Sequence, residues 1–185
     1  MQTHHYRHRL LAWFSLFLLS LTLNAFADTT IKALASLSLT VQNQTFVTEV
    51  ATNDKTRAQG LSDREALALD HAMLFSFATA SDASHPLTFW MIRMHFPLDI
   101  LWLDSDKHVL SIIAEAEPCI GSMACNLNTP ITDHDHCLPG LAQKQCPLLA
   151  APIGTRYALE MPADTAKKLN IVAGTPVAFD LSTIK

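Results

Sequence analysis

MLFSFATASDASHPLTFWMIRMHFPLDILWL, residues 73–103, contains three short aromatic-rich runs: Met73-Leu74-Phe75-Ser76-Phe77, Leu87-Thr88-Phe89-Trp90-Met91 and Ile100-Leu101-Trp102-Leu103. Each is bounded by Pro or polar breaks, and none is long enough for an amphipathic helix. Val109 to Ala114 adds another apolar run after an Asp104-Ser105-Asp106-Lys107 turn. Short strands at this spacing, with little helix between them, predict a mostly β fold with short helices (α+β). The expected form is a small, partly barrel-like antiparallel sheet.

The flanks agree. Leu37-Ser38-Leu39-Thr40-Val41 and Thr45-Phe46-Val47-Thr48-Glu49-Val50 alternate at period two across Asn43-Gln44, which predicts a hairpin. Thr52 or Asn53 caps a short helix through Arg57 that Gly60 interrupts, and Ser62 with Glu65 reads as a second helix start of capping-box form. Towards the C-terminus a strand is expected over Arg156–Met161, a helix over Ala163–Leu169 and a closing strand over Val177–Leu181.

The first residues address the chain to a compartment. Arg7 and Arg9 precede an apolar run from Leu10 to Leu23, shorter than the ~20 residues of a spanning helix, and Ala25-Phe26-Ala27 follows as a cleavage site. Residues 1–27 are therefore expected to be a signal peptide, and residues 28–185 a single exported, periplasmic domain. No later stretch is long enough to span a membrane, and no Cys follows the apolar run to take a lipid. The chain has 185 residues, 13 basic and 17 acidic. Without the leader 11 basic side chains remain against 17 acids, a net charge of −6 that offers no general attraction to nucleic acid. Four cysteines in an exported chain, Cys119, Cys125, Cys137 and Cys146, read as two disulfides.

Arg57-x-x-Gly60-Leu61-x-x-Arg64, Met73-Leu74-Phe75-x-Phe77, Phe89-Trp90-Met91, Pro97-Leu98-Asp99-Ile100-x-x-x-Asp104 and Tyr157-x-Leu159-Glu160 occur in that order. Together they resemble the domain-of-unknown-function 192 family of small, often exported prokaryotic proteins, from about Leu39 to Leu181. The resemblance implies a compact, strand-dominated, partly barrel-like domain and no established activity. Family members usually read Trp-Met-Lys-Asn-Thr where this chain has Trp90-Met91-Ile92-Arg93-Met94, so if that polar triplet is part of a ligand site, the site is altered here. Ala72, Asp164 and Asn170 also stand where the family favours Gly, while Gly174 is kept. Pro118-Cys119 and Cys146-Pro147 resemble a pair of family cysteines, stretched apart by a Cys-rich insertion at about 119–146. On that resemblance the nested pairing is favoured, Cys119–Cys146 with Cys125–Cys137. Local and crossed pairings remain open.

Two constellations carry candidate chemistry. Arg57, Arg64, Arg93 and Asp99 beside Trp90 suit a small polar ligand, because Arg presents a planar fork to carboxylates. The bland alternative has Arg57 or Arg64 pairing with Asp99 to tie a helical segment to the sheet, with Phe89, Trp90 and Trp102 as core. Asp133-His134-Asp135-His136 mixes imidazole and carboxylate in a way that suits Zn, Cu or Ni, or else is a solvated polar loop. A nucleophile elbow, a phosphate-binding Gly loop and a Cys-x-x-Cys pair are all absent, so no catalytic residue is assigned. The expected function is a periplasmic binding or accessory protein for a small polar ligand, a glycan or an envelope partner protein. A metal-binding protein and a hydrolase-like enzyme are the alternatives.

Overall fold

A computed structural model of the chain describes residues 34–119 and 146–184. Residues 1–27, the Asp133–His136 cluster and the Cys125–Cys137 pair lie outside them. The fold is mostly β, as the residue pattern predicts, and is built on one curled seven-stranded sheet.

β1 (Ser36–Val41) and β2 (Gln44–Ala51) form the hairpin, with Val41 opposite Gln44. The turn is Gln42-Asn43, one residue earlier than the sequence suggests. Both residues adopt positive φ, 48° and 63°, which matches the twist of a two-residue hairpin loop. α1 (Asp54–Gln59) follows, with Asn53 as its cap: the Asn53 side chain accepts the Thr56 N–H and the Thr56 hydroxyl accepts the Asn53 N–H. Gly60 ends the helix at φ 48° and ψ −133°, a conformation only glycine adopts readily.

The second helix expected to start at Ser62 does not form. Residues 61–63 make a turn, and the Ser62 hydroxyl donates to the Ile92 carbonyl instead of capping its own chain. β3 (His71–Ser76) then runs parallel to β2, a departure from the antiparallel expectation. The connection over residues 52–70 supplies the dozen or so residues that a parallel crossover requires.

β4 (Thr88–Phe89) is much shorter than the expected Leu87–Met91 strand and pairs with β7 (Leu149–Ala150) in a separate two-stranded sheet. β5 (Leu98–Leu103), β6 (Val109–Ala116) and β8 (Tyr157–Pro162) complete the main sheet with β9 (Val177–Ala178). Its order is β6-β5-β8-β3-β2-β1-β9. A bridge between His108 and Pro176, with the Val109 N–H on the Thr175 carbonyl, brings the two edge strands together at one end. That contact curls the sheet into a half-barrel.

α2 (Thr165–Lys168) is shorter than the expected 163–169 helix. β9 stops at Ala178 rather than Leu181, because Asp180 accepts the Ser182 N–H and starts a 3-10 turn over Leu181–Thr183. Asp164, Asn170 and Gly174 all have positive φ (68°, 54° and 87°), so a left-handed backbone explains why Gly suits these places. Asp and Asn tolerate that conformation better than other side-chain-bearing residues.

The middle of the sheet, β3, β5 and β8, is covered on both faces. The inner layer holds Leu39, Phe46, Leu74, Leu101 and Leu159, and the outer layer holds Met73, Phe75, Ile100, Trp102 and Ala158. β3, β5 and β8 thus bury residues on both sides, which is why Met73-Leu74-Phe75 and Ile100–Leu103 read as continuous apolar runs rather than alternating ones. Each buried Leu, Ile or Phe side chain contributes about 1.5–3 kcal/mol, so the two layers are what hold the sheet together. Among the described residues no helix is long and apolar enough to cross a membrane.

Candidate functional site

The register of three strand pairs sets a row of side chains across the outer face. Glu49 on β2 stands opposite Met73 on β3, Met73 opposite Glu160 on β8, and Glu160 opposite Ile100 on β5. Directly paired residues project to the same side of a sheet. One end of the row is therefore acidic, and a second acid lies deeper within it.

Arg64 closes the exposed end. The turn after α1 brings its guanidinium to Glu49, where Nη1 and Nη2 donate to the two carboxylate oxygens at 2.5 and 2.8 Å. Both side chains are about a third exposed or less. The Arg64 hydrogen bond holds the Glu49 carboxyl below its usual range, and the same bond raises Arg64.

Glu160 has a different environment. It is 5% exposed, and Oε2 has no hydrogen-bond partner among the described residues. Burial pushes its carboxyl up to about 8, against the opposing pull of the Arg64 charge. At neutral pH the acid therefore carries its proton. On β5, Trp102 stands opposite Ala158, two residues before Glu160, which makes Trp102 and Glu160 diagonal neighbours on one face. Trp102 is fully buried and its Nε1 also lacks a partner among the described residues. Its ring packs edge-to-face on Phe89 at 4.9 Å, and Phe89 packs on Phe75 at 4.7 Å. A buried polar group without a partner costs about 1–3 kcal/mol, so two on one face is an unusual concentration.

The residues singled out from sequence do not form one cluster. Arg57 donates from Nη1 to the Thr52 and Ser76 carbonyls at 2.8 and 2.9 Å, and from Nη2 to Asp54. It ties α1 to the ends of β2 and β3. Arg93 pairs through Nε and Nη2 with Asp63, whose own N–H donates to the Arg93 carbonyl at 2.8 Å. Arg93 has φ 59°, a left-handed backbone that Asn and Asp tolerate better than an Arg does.

Asp99 meets neither Arg57 nor Arg64. Strand alternation turns it away from the outer face, where it is fully buried and accepts the N–H groups of Glu115 (2.9 Å) and Ala166 (2.7 Å). Trp90 is half-buried immediately after β4. Asp104 belongs to a turn, accepting the His108 N–H at 2.8 Å. Among the described residues there is no group of His, Cys, Asp and Glu able to hold a metal.

Glu160 and Glu49 were not selected by sequence reasoning. The available signal was a lone acid inside Tyr157-Ala158-Leu159-Glu160-Met161, where every neighbour is uncharged. Cys119 and Cys146 stand at disulfide distance with their Cα atoms 4.9 Å apart, in the arrangement expected for the outer bridge of the nested pattern. The Cys119 N–H donates to the Met91 carbonyl, so this closure lies against the outer layer.

A curled half-barrel sheet with a buried acid on its outer face defines a small β-rich domain. The chain belongs to the domain-of-unknown-function 192 family, whose model, described as "Uncharacterized ACR", matches residues 37–179. Among solved structures it is similar to a candidate transcription regulator from Sinorhizobium meliloti 1021, with 25% identity and a TM-score of 0.58, covering 79% of this chain and 95% of that one. It is also similar to a protein of unknown function from Novosphingobium aromaticivorans DSM 12444, with 24% identity and a TM-score of 0.62, covering 81% of this chain and 89% of that one. No curated protein matches the chain.

Proposed function

We propose that this domain is an exported binding or accessory protein that takes a small polar ligand on its outer face, at Glu160 and the neighbouring Trp102 and Arg64–Glu49 pair. The observation that carries the reading is the buried carboxyl oxygen of Glu160, which has no hydrogen-bond partner among the described residues. A core acid serving only stability would be expected to find a protein donor, because leaving it unpaired costs more than its hydrogen bonds return. The aromatic layer beside it supplies the apolar wall that small-ligand sites combine with a few polar groups. Export is part of the proposal and rests on Ala25-Phe26-Ala27.

Amide-resolved NMR of the labelled mature protein, titrated with small sugars, amides, amines and carboxylates, tests the reading. Saturable shifts centred on residues 49, 64, 102 and 160 are expected. Shifts confined to residues 119–146, or none at all, would remove the outer face as the site.

A further inference from the structure

We propose that the outer-face site takes an uncharged ligand through an oxygen acceptor, an amide carbonyl or a hydroxyl, that receives the Trp102 indole N–H and pairs with the Glu160 carboxyl. This deepens the binding function proposed above and rests on it.

Three buried side-chain polar atoms lack a partner among the described residues: Trp102 Nε1, Glu160 Oε2 and Arg156 Nη1. The guanidinium of Arg156 lies over the ring of Tyr157, a residue of the inner layer, 5.0 Å from its centroid. The other two belong to residues that are diagonal neighbours on one face of β5 and β8. An indole N–H can only donate, so it needs an acceptor and a cation leaves it unsatisfied. An anion supplies the acceptor but meets two acids, Glu49 and Glu160, while both terminal nitrogens of Arg64 are already given to Glu49.

An uncharged oxygen meets both demands if Glu160 keeps its proton and donates its O–H. Burial favours that protonation state up to about pH 8. Among the described residues, the charged groups around Glu160 are Arg64, from the turn after α1, and Glu49 on β2, whose carboxyl also feels His71 at the start of β3. On β5 the nearest acid, Asp99, is held on the other face by the Ala166 N–H, and Ile100 and Met73 are the paired neighbours on this face. The exposed edge of the group is the Arg64–Glu49 pair.

Labelled mature protein titrated separately with acetamide, methyl glucoside, methylammonium chloride and sodium acetate, at pH 6.5 and 9.5, separates the classes. Acetamide or the glucoside is expected to shift the Trp102 indole N–H saturably at pH 6.5 and to bind at least about tenfold more weakly at pH 9.5, where Glu160 is ionised. The two probes also distinguish a carbonyl from a hydroxyl source. Glu160→Gln cannot ionise, so any acetamide or glucoside affinity that it has should be the same at pH 6.5 and 9.5. Trp102→Phe should lose binding while its spectrum stays dispersed. Preference for methylammonium or acetate, or an affinity of the Glu160→Gln variant that still differs between the two pH values, overturns the ligand class and leaves the site standing. If no probe moves the indole signal, the site falls with it.

Discussion

Asp99 on β5 accepts the backbone N–H of Ala166 at 2.7 Å across 67 residues of chain, and so caps a helix to which it does not belong. Asp164, the residue at the start of α2, makes no side-chain cap of its own because its backbone is left-handed. The second oxygen of Asp99 accepts the Glu115 N–H on β6, where Glu115 has φ 50° and the β5–β6 register shifts. One buried carboxylate thus joins β5, β6 and α2.

Asp99→Ala leaves two backbone donors without their acceptor. At about 1–3 kcal/mol each, the loss should be roughly 2–6 kcal/mol of unfolding free energy, readable by urea denaturation. A change within about 0.5 kcal/mol would mean that the Ala166 and Glu115 groups find other partners.

Gly60→Ala tests the end of α1. A Cβ there would lie 3.2 Å from Phe75 Cζ, on a backbone with φ 48°. Strain of about 1–3 kcal/mol is expected, with the urea m-value unchanged. Equal stability of the variant would contradict this reading of the helix end.

Stability should depend on pH with opposite signs at the two acids of the outer face. Glu160 is raised in the folded protein, so the folded state binds more protons than the unfolded one between the ordinary Glu value of 4.5 and about 8, and stability falls as pH rises through that window. Glu49 is lowered by Arg64, so its contribution is present above the ordinary value and disappears as pH falls through its folded value. Glu160→Gln should abolish the loss between pH 5 and 8 and be more stable than the parent at pH 9, by on the order of a few kcal/mol. Parallel pH–stability curves for the two proteins would contradict the buried-acid assignment.

Non-reducing peptide mapping should recover Cys119 linked to Cys146. Replacing both by Ala should cost about 2–4 kcal/mol, mainly by freeing the unfolded chain. A peptide joining Cys119 to Cys125 would select the local pairing instead.

The strands were legible because their apolar runs are short and bounded, and the hairpin because β1 and β2 each have one wet face. The parallel pairing of β2 and β3 was not legible, since period-two alternation carries no information on strand direction. Ser62 and Glu65 match a helix cap locally, but Ser62 bonds to Ile92, 30 residues away, and tertiary contact overrode the local signal. Asp99 attracted notice as a charge near arginines. Only its position on the strand, facing away from them, reveals that it holds backbone instead. Glu160 went unselected for the opposite reason: a single Glu in an apolar strand looks ordinary until both faces of that strand are found buried.

A crystal of residues 28–185 soaked at pH 6.5 in whichever of acetamide and methyl glucoside binds in solution tests the central claim most directly. A ligand oxygen at hydrogen-bond distance, about 3 Å, from both Trp102 Nε1 and Glu160 Oε2 is predicted. A soaked crystal in which those two atoms bond to protein groups, with the ligand elsewhere, would contradict it.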